Sequence, residues 1–294
     1  MPTWIGRLSV VAFLCWIPFS PGLGAAGVSP PVEESGVSLR FARHGHPVIA
    51  ENSHPLEALA ARAVRVHEPY EDRTVEFEAL PLAEVLDAAY SPTWRAEEEI
   101  LFTCSDGYQP SIPVQRVLEH RAWLAFSRTD QTGFTIQKRE SGEDRTVELG
   151  PYYVIWSNLD DARILQEADY GWPYQVEAID LIRTRDRFGG MAPPPGSSSD
   201  VVAGFDEFRI HCSKCHQVNG EGGTIGPELN PAAGSGEYYE RDFLRTWIDA
   251  PEEIRAKTRM PALNPQLPDR NRTIERIMDY LYAVAAVGKT ENEK

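Results

Sequence analysis

The chain has 294 residues, 42% of them hydrophobic and 25% charged, with a formal net charge of −15. That balance is ordinary for a folded protein, and the length is a soft argument for two domains. The acidic excess works against nucleic acid and anionic membranes as partners.

The N-terminus carries Arg7, an apolar run over Val10–Phe19 and small residues at Gly22–Ala26. The run is too short to span a bilayer, so residues 1–26 read as a cleaved signal peptide and the mature chain as free of a transmembrane anchor. Cys15 lies inside the run and leaves with it. Cleavage removes Arg7 and no acidic residue, which moves the net charge from −15 to −16. Such a surface suits a partner with a basic docking face, and it also serves plain solubility.

Residues 36–187 have the texture of an α+β domain with a mixed sheet. Val75, Phe77 and Ala79 alternate with polar residues, the pattern of a half-buried strand, and Pro81–Tyr90 reads as a helix with Leu82, Val85, Leu86 and Ala89 on one face. Further strands are expected at Ile100–Cys104, Ala122–Ser127, Tyr152–Trp156 and Gln175–Arg183. Glu97-Glu98-Glu99 and Asp160-Asp161 read as solvated acidic stretches. His44 and His46 beside Arg43 read as surface or structural histidines. Trp156, Trp172, Tyr152 and Tyr153 read as strand-packing aromatics.

A linker is expected over 188–200, where Phe188-Gly189-Gly190-Met191-Ala192-Pro193-Pro194-Pro195-Gly196 runs into Ser197-Ser198-Ser199-Asp200. Residues 201–288 then form a second domain, with helices near 201–213, 239–249 and 271–286 and Asp200 as an N-cap.

At the end of the first of these helices stands Cys212-Ser213-Lys214-Cys215-His216, the attachment signature of c-type haem. The two thiols add across the haem vinyl groups, and the adjacent imidazole of His216 becomes the proximal iron ligand. A thioredoxin-type dithiol needs no such His, and no second Cys pair completes a zinc site. The distal ligand is expected at Met260, in Thr258-Arg259-Met260-Pro261, because a thioether suits an electron carrier. Met278 lies in a helical run beside Ile274, Ile277 and Leu281 and reads as core. With both axial positions filled, the domain is expected to transfer electrons and not to activate oxygen. Haem of this type is attached outside the bacterial cytoplasm, which fits export to the periplasm.

Gly204 and Phe208 before the motif, and Gly222-Gly223 and Gly226-Pro227-Glu228-Leu229 after it, resemble the class I cytochrome c family over residues 201–288. The resemblance implies an all-α domain in which the Pro227 carbonyl supports the His216 imidazole, and Gly204 and Phe208 pack on the last helix. In the first domain, Phe102-Thr103-Cys104-Ser105-Asp106-Gly107-Tyr108 running into Ile112-Pro113 is similar to the molybdenum-binding segment of the sulfite oxidase family. Gly150-Pro151-Tyr152-Tyr153-Val154 and Trp172-Pro173-Tyr174-Gln175-Val176 follow in the same order. That resemblance implies a molybdopterin-type fold with Cys104 as a molybdenum thiolate. Arg116, Arg121 and Arg128 are its candidates for the pterin phosphate.

Two roles are open for Cys104. A buried structural thiol is favoured, because Arg7 stands without the second Arg of a folded-export signal and Asp106-Gly107 replaces basic groups. The whole then reads as a periplasmic electron-transfer protein with one covalent haem, whose first domain serves docking or assembly without a cofactor. The alternatives are a molybdenum oxidoreductase that passes electrons from Cys104 to the haem, and a cytochrome subunit of a membrane respiratory complex.

Overall fold

The computed structural model describes residues 39–48, 56–140, 143–166, 171–229, 240–265 and 267–292. The expected signal peptide lies outside them. The chain begins with β1 (Arg40–Arg43), β2 (His46–Pro47), β3 (Arg62–Glu68), β4 (Arg73–Pro81) and α1 (Leu82–Tyr90). A 3-10 turn over Pro92–Ala96 leads to β5 (Glu99–Cys104), β6 (Ser111–Pro113), α2 (Val114–Glu119) and β7 (Ala122–Arg128). The hairpin β8 (Thr135–Glu140) and β9 (Glu143–Glu148) follows, then β10 (Tyr153–Trp156), α3 (Ala162–Gln166), β11 (Val176–Ile182) and α4 (Thr184–Phe188). The C-terminal region holds α5 (Ser199–His211), β12 (Gln217–Val218), β13 (Glu221–Gly222), α6 (Arg241–Asp249), α7 (Pro251–Ile254) and α8 (Arg270–Asn292).

The protein is a mixed α+β fold with several sheets, and its C-terminal region is helical but short. One sheet of the N-terminal half has the order β2-β1-β11-β5-β6 and is mixed, since β1 runs parallel to β11 and the other pairs are antiparallel. The second, β10-β7-β4-β3, is wholly antiparallel. On β4 the alternation puts Val75, Phe77 and Ala79 inside, and Val64 and Val66 of β3 do the same across the ladder. Phe77, Leu80, Leu82, Leu86 and Ile100 are fully buried, and each such side chain stabilises the fold by about 1.5–3 kcal/mol. The C-terminal region is not purely helical: β12 and β13 pair as a short antiparallel ribbon directly after the Cys212–His216 motif.

The two acidic stretches are only partly solvated: Glu98 and Asp160 are exposed, and their neighbours are engaged. Glu99 opens β5 facing inward, is 5% exposed and pairs with Arg209 of α5. Glu97 holds both Arg43 and His44, at 2.9 and 2.8 Å, and Asp161 holds the buried His120. The cap of α5 also differs from expectation. Ser198 accepts from the Val201 amide, while Asp200 already lies inside the helix and bridges to Arg272 and Arg276 of α8. An Asp in the first turn still opposes the helix dipole favourably.

The start of the expected linker is packed. Phe188 and Met191 are buried in the C-terminal core beside Phe208, Ile274 and Ile277, together with Leu101 of β5 and Ile182 of β11. The Tyr280 hydroxyl of α8 donates to the Met191 carbonyl at 2.6 Å. The two halves therefore share one apolar layer as well as the Glu99–Arg209 pair.

Candidate functional site

The last turn of α5 delivers the motif. Phe208 is its buried anchor: its carbonyl accepts from the amides of Cys212 and Ser213, at 2.8 and 2.9 Å. The Cys212 carbonyl then accepts from Cys215 and His216, at 3.0 and 2.9 Å, so the chain coils tightly and brings both sulfurs and the imidazole into one turn. Cys212 and Cys215 are free thiols. Burial pushes the Cys212 thiol up to about 12 and raises that of Cys215 as well, so both are protonated at neutral pH.

His216 is oriented from outside the motif. Its Nδ1 lies 2.9 Å from the Pro227 carbonyl. A carbonyl can only accept, so Nδ1 carries the proton and Nε2 presents a lone pair. Burial lowers the imidazole pKa against the opposing effect of that bond, which keeps the ring neutral and fit to bind a metal. Glycines make the close approach that this requires. A Cβ on Gly226 would strike the His216 ring, one on Gly223 the Lys214 carbonyl, and one on Gly222 the His216 carbonyl. Only the φ of +124° at Gly222 is also a left-handed backbone that favours glycine.

Gly204 lets α5 approach α8 so closely that a Cβ would meet the Arg276 carbonyl, and the Phe208 and Tyr280 rings lie 5.3 Å apart. Met260 is half-buried in the loop after α7, its amide donating to Thr258 Oγ1 at 3.2 Å. The charge of its neighbour Arg259 works weakly against the effect of burial on the Cys215 thiol. Met278 is fully buried among Ile274, Ile277 and Leu281 of α8. His211 pairs along its own helix with Glu207 at 3.5 Å, and burial lowers its pKa to about 4.

The motif's own donors, two free thiols and a neutral imidazole protonated on Nδ1, fit covalent haem. Among the described residues no three His, Cys, Asp or Glu side chains gather as an all-protein metal site, and His44 is instead an ion-pair partner of Glu97.

Cys104 sits in a different environment. It ends β5 at 3% exposure, with its amide donating to the Tyr108 carbonyl at 2.9 Å and its carbonyl accepting from Gly107 at 3.0 Å. Burial raises its thiol pKa well above the ordinary value, and Asp106 and Glu177 push the same way. Burial beside two acidic groups favours the protonated form of this thiol, the state of a structural cysteine. Arg128 is not available to a phosphate. It is buried and held by Glu71 at 2.9 Å and Asp130 at 2.8 Å. Arg116 stacks on Trp156 at 4.8 Å, and Arg121 is exposed.

Sequence reasoning missed the residues that join Cys104's turn to the motif. The Gln109 amide donates to the Lys214 carbonyl at 2.8 Å, and the Thr224 amide to the Gly107 carbonyl at 3.0 Å. Gly107 takes a φ of +91°, and a Cβ there would strike Thr224 Oγ1. The Asp106-Gly107 pair signals a turn, but nothing in the sequence says what the turn touches. No protein-family model matches this chain, and no curated protein matches it, so its chemistry is read from its own residues.

Proposed function

We propose that this protein is an exported electron carrier of the periplasm with one covalent c-type haem. Cys212 and Cys215 supply the thioether sulfurs, His216 the proximal nitrogen and Met260 the distal sulfur, and the C-terminal region is a class I cytochrome c domain. The observation that carries the reading is the His216 Nδ1–Pro227 bond of 2.9 Å beside two free thiols. It fixes the tautomer, leaves Nε2 as the unprotonated nitrogen and raises the basicity of that ligand nitrogen. Bound there, the haem supplies one-electron chemistry whose potential a thioether ligand raises. The chain's own contribution is to bury the imidazole, exclude water from its Nδ1 side and hold two sulfurs within one turn.

The N-terminal half, of sulfite oxidase-like type, acts in this reading as a cofactor-free docking and assembly module. The mature surface suits a basic redox partner, including one within a respiratory complex, and no helix among the described residues is long and apolar enough to cross a membrane. Elemental analysis and a pyridine haemochrome spectrum of the exported protein test the reading together. One covalent iron per chain without molybdenum is the expected result. Equimolar molybdenum would turn Cys104 into a metal ligand and the protein into an oxidoreductase, and absence of covalent haem would remove the reading altogether. A Met260→Ala change is expected to lower the midpoint potential and alter the ferric spectrum, and an unchanged spectrum would move the distal ligand elsewhere.

A further inference from the structure

The segment around the motif is a two-armed loop. One arm is Ser213–Gln217, the other Gly223–Leu229, and backbone bonds tie them: Gly223 to Ser213 at 2.7 Å, Gly226 to Cys215 at 2.8 Å and Leu229 to Gln217 at 2.8 Å. Between the first two of these rungs, the Lys214 carbonyl and the Thr224 amide do not bond to each other. The Lys214 carbonyl accepts from Gln109 and the Thr224 amide donates to Gly107. Between those rungs, residues 107–109 of the N-terminal half thus bond to both arms of the loop.

This contact is specified in detail. Gly107 reaches Thr224 closely enough to exclude a Cβ, and its φ of +91° suits glycine. Arg187 of α4 donates to Gln109 Oε1 at 2.8 Å and so steadies the turn from its other side. The far end of the loop is clasped too. The Glu221 carboxylate accepts from the Gly190 amide at 3.0 Å and from Met191 at 3.2 Å, while Asn219 donates to the Gly190 carbonyl at 2.6 Å. Backbone donors and acceptors at a packed seam need partners, and here the partners come from the other half of the chain.

We propose that the Gly107–Gln109 turn is a positioning element of the haem-attachment segment, bonding to both of its arms. The C-terminal region is then a haem-binding unit only in the company of the N-terminal half. This deepens the proposed function and rests on it for the word haem. The geometric claim about the segment stands independently.

The test uses the full-length exported protein and two readouts, amide hydrogen exchange and the midpoint potential. In the wild type, the Gln109 and Thr224 amides are expected to exchange as slowly as those of Gly223 and Gly226. Gln109→Pro removes the N–H donor. It is expected to speed exchange at Gly223 and Gly226 at least tenfold and to shift the potential. Gln109→Ala keeps the donor but loses the Arg187 bond, and is expected to fall between the wild type and Gln109→Pro in both. Rapid exchange at Gln109 and Thr224 in the wild type overturns the proposal, as does a folded Gln109→Pro variant with unchanged exchange and potential. Should that variant fail to accumulate, the wild-type exchange pattern decides. A wild type without covalent haem would defeat the proposed function, while the same four amides would still judge the positioning claim.

Discussion

The two halves of this molecule are held together by opposite means. In the N-terminal half, large side chains fill the space between sheets: Phe77, Tyr153, Trp156 and Trp172 are each at most 2% exposed. Its polar core is equally committed, with Arg128 held by Glu71 and Asp130 and the Tyr153 hydroxyl donating to buried Glu68 at 2.7 Å. In the C-terminal half, the decisive positions are those with no side chain at all. Gly204, Gly222, Gly223 and Gly226 each bring backbone or ring atoms closer than a Cβ allows. A core built from large residues is tolerant, because a lost methylene costs about 1 kcal/mol. A site built from close approaches is not, because an added methyl has nowhere to go.

Substitutions that divide the halves test this contrast, and the largest effect is expected at the motif. Replacing Cys212 and Cys215 together by Ala should abolish covalent haem, while the far-ultraviolet signature of the sheets survives. Joint collapse of both would show that the halves fold as one cooperative unit. Gly226→Ala comes next, since its Cβ would land on the His216 ring. Covalent haem yield should fall more than tenfold, measured by haem stain against total protein. Wild-type yield would mean that the loop can relax. Arg128→Met should lower the stability of the N-terminal half by about 1.5–3 kcal/mol in a urea titration, because Glu71 loses its buried partner and keeps only Arg73 and the Gln137 amide. Haem content at low temperature should not change.

The smallest expected effect is one of pH. Burial alone would raise the Glu71 carboxyl, but bonds from Arg128 and the Gln137 amide, with the charges of Arg128 and Arg73, outweigh it and hold it low. Asp130 is lowered by its bond from Arg128 against a smaller effect of burial. A depressed carboxyl stabilises the fold above its unfolded pKa, and that contribution fades as pH falls through the folded value. Denaturation midpoints should therefore drop below the ordinary carboxylate range, and Arg128→Met should flatten that acid limb.

Strands β4, β5, β7, β10 and β11, and helices α1, α5, α6 and α8, were legible because alternation and helical spacing are local properties. The strand β3 was equally legible in principle, since Val64 and Val66 alternate with Arg65 and His67. The hairpin of β8 and β9 was not: Ile136 and Val147 are its few apolar residues, and the rest of Thr135–Glu148 is mostly polar. The haem chemistry proposed for the motif rests on residue types alone. The inward turn of Glu99 and the contacts of Gly107–Gln109 depend on where distant segments meet, and no spacing within one segment encodes that.

The seating of Phe188 and Met191 has a kinetic consequence. A free Pro/Gly tether would let the C-terminal half wander, and any reaction bridging the two halves would be governed by an effective concentration and by the time taken to find a productive encounter. With Met191 buried and its carbonyl bound by Tyr280, that search has already been completed during folding. A partner that grips the N-terminal sheets is thereby placed at a fixed distance from the C-terminal site, so its electron-exchange rate should respond to separation and driving force and be indifferent to solvent viscosity.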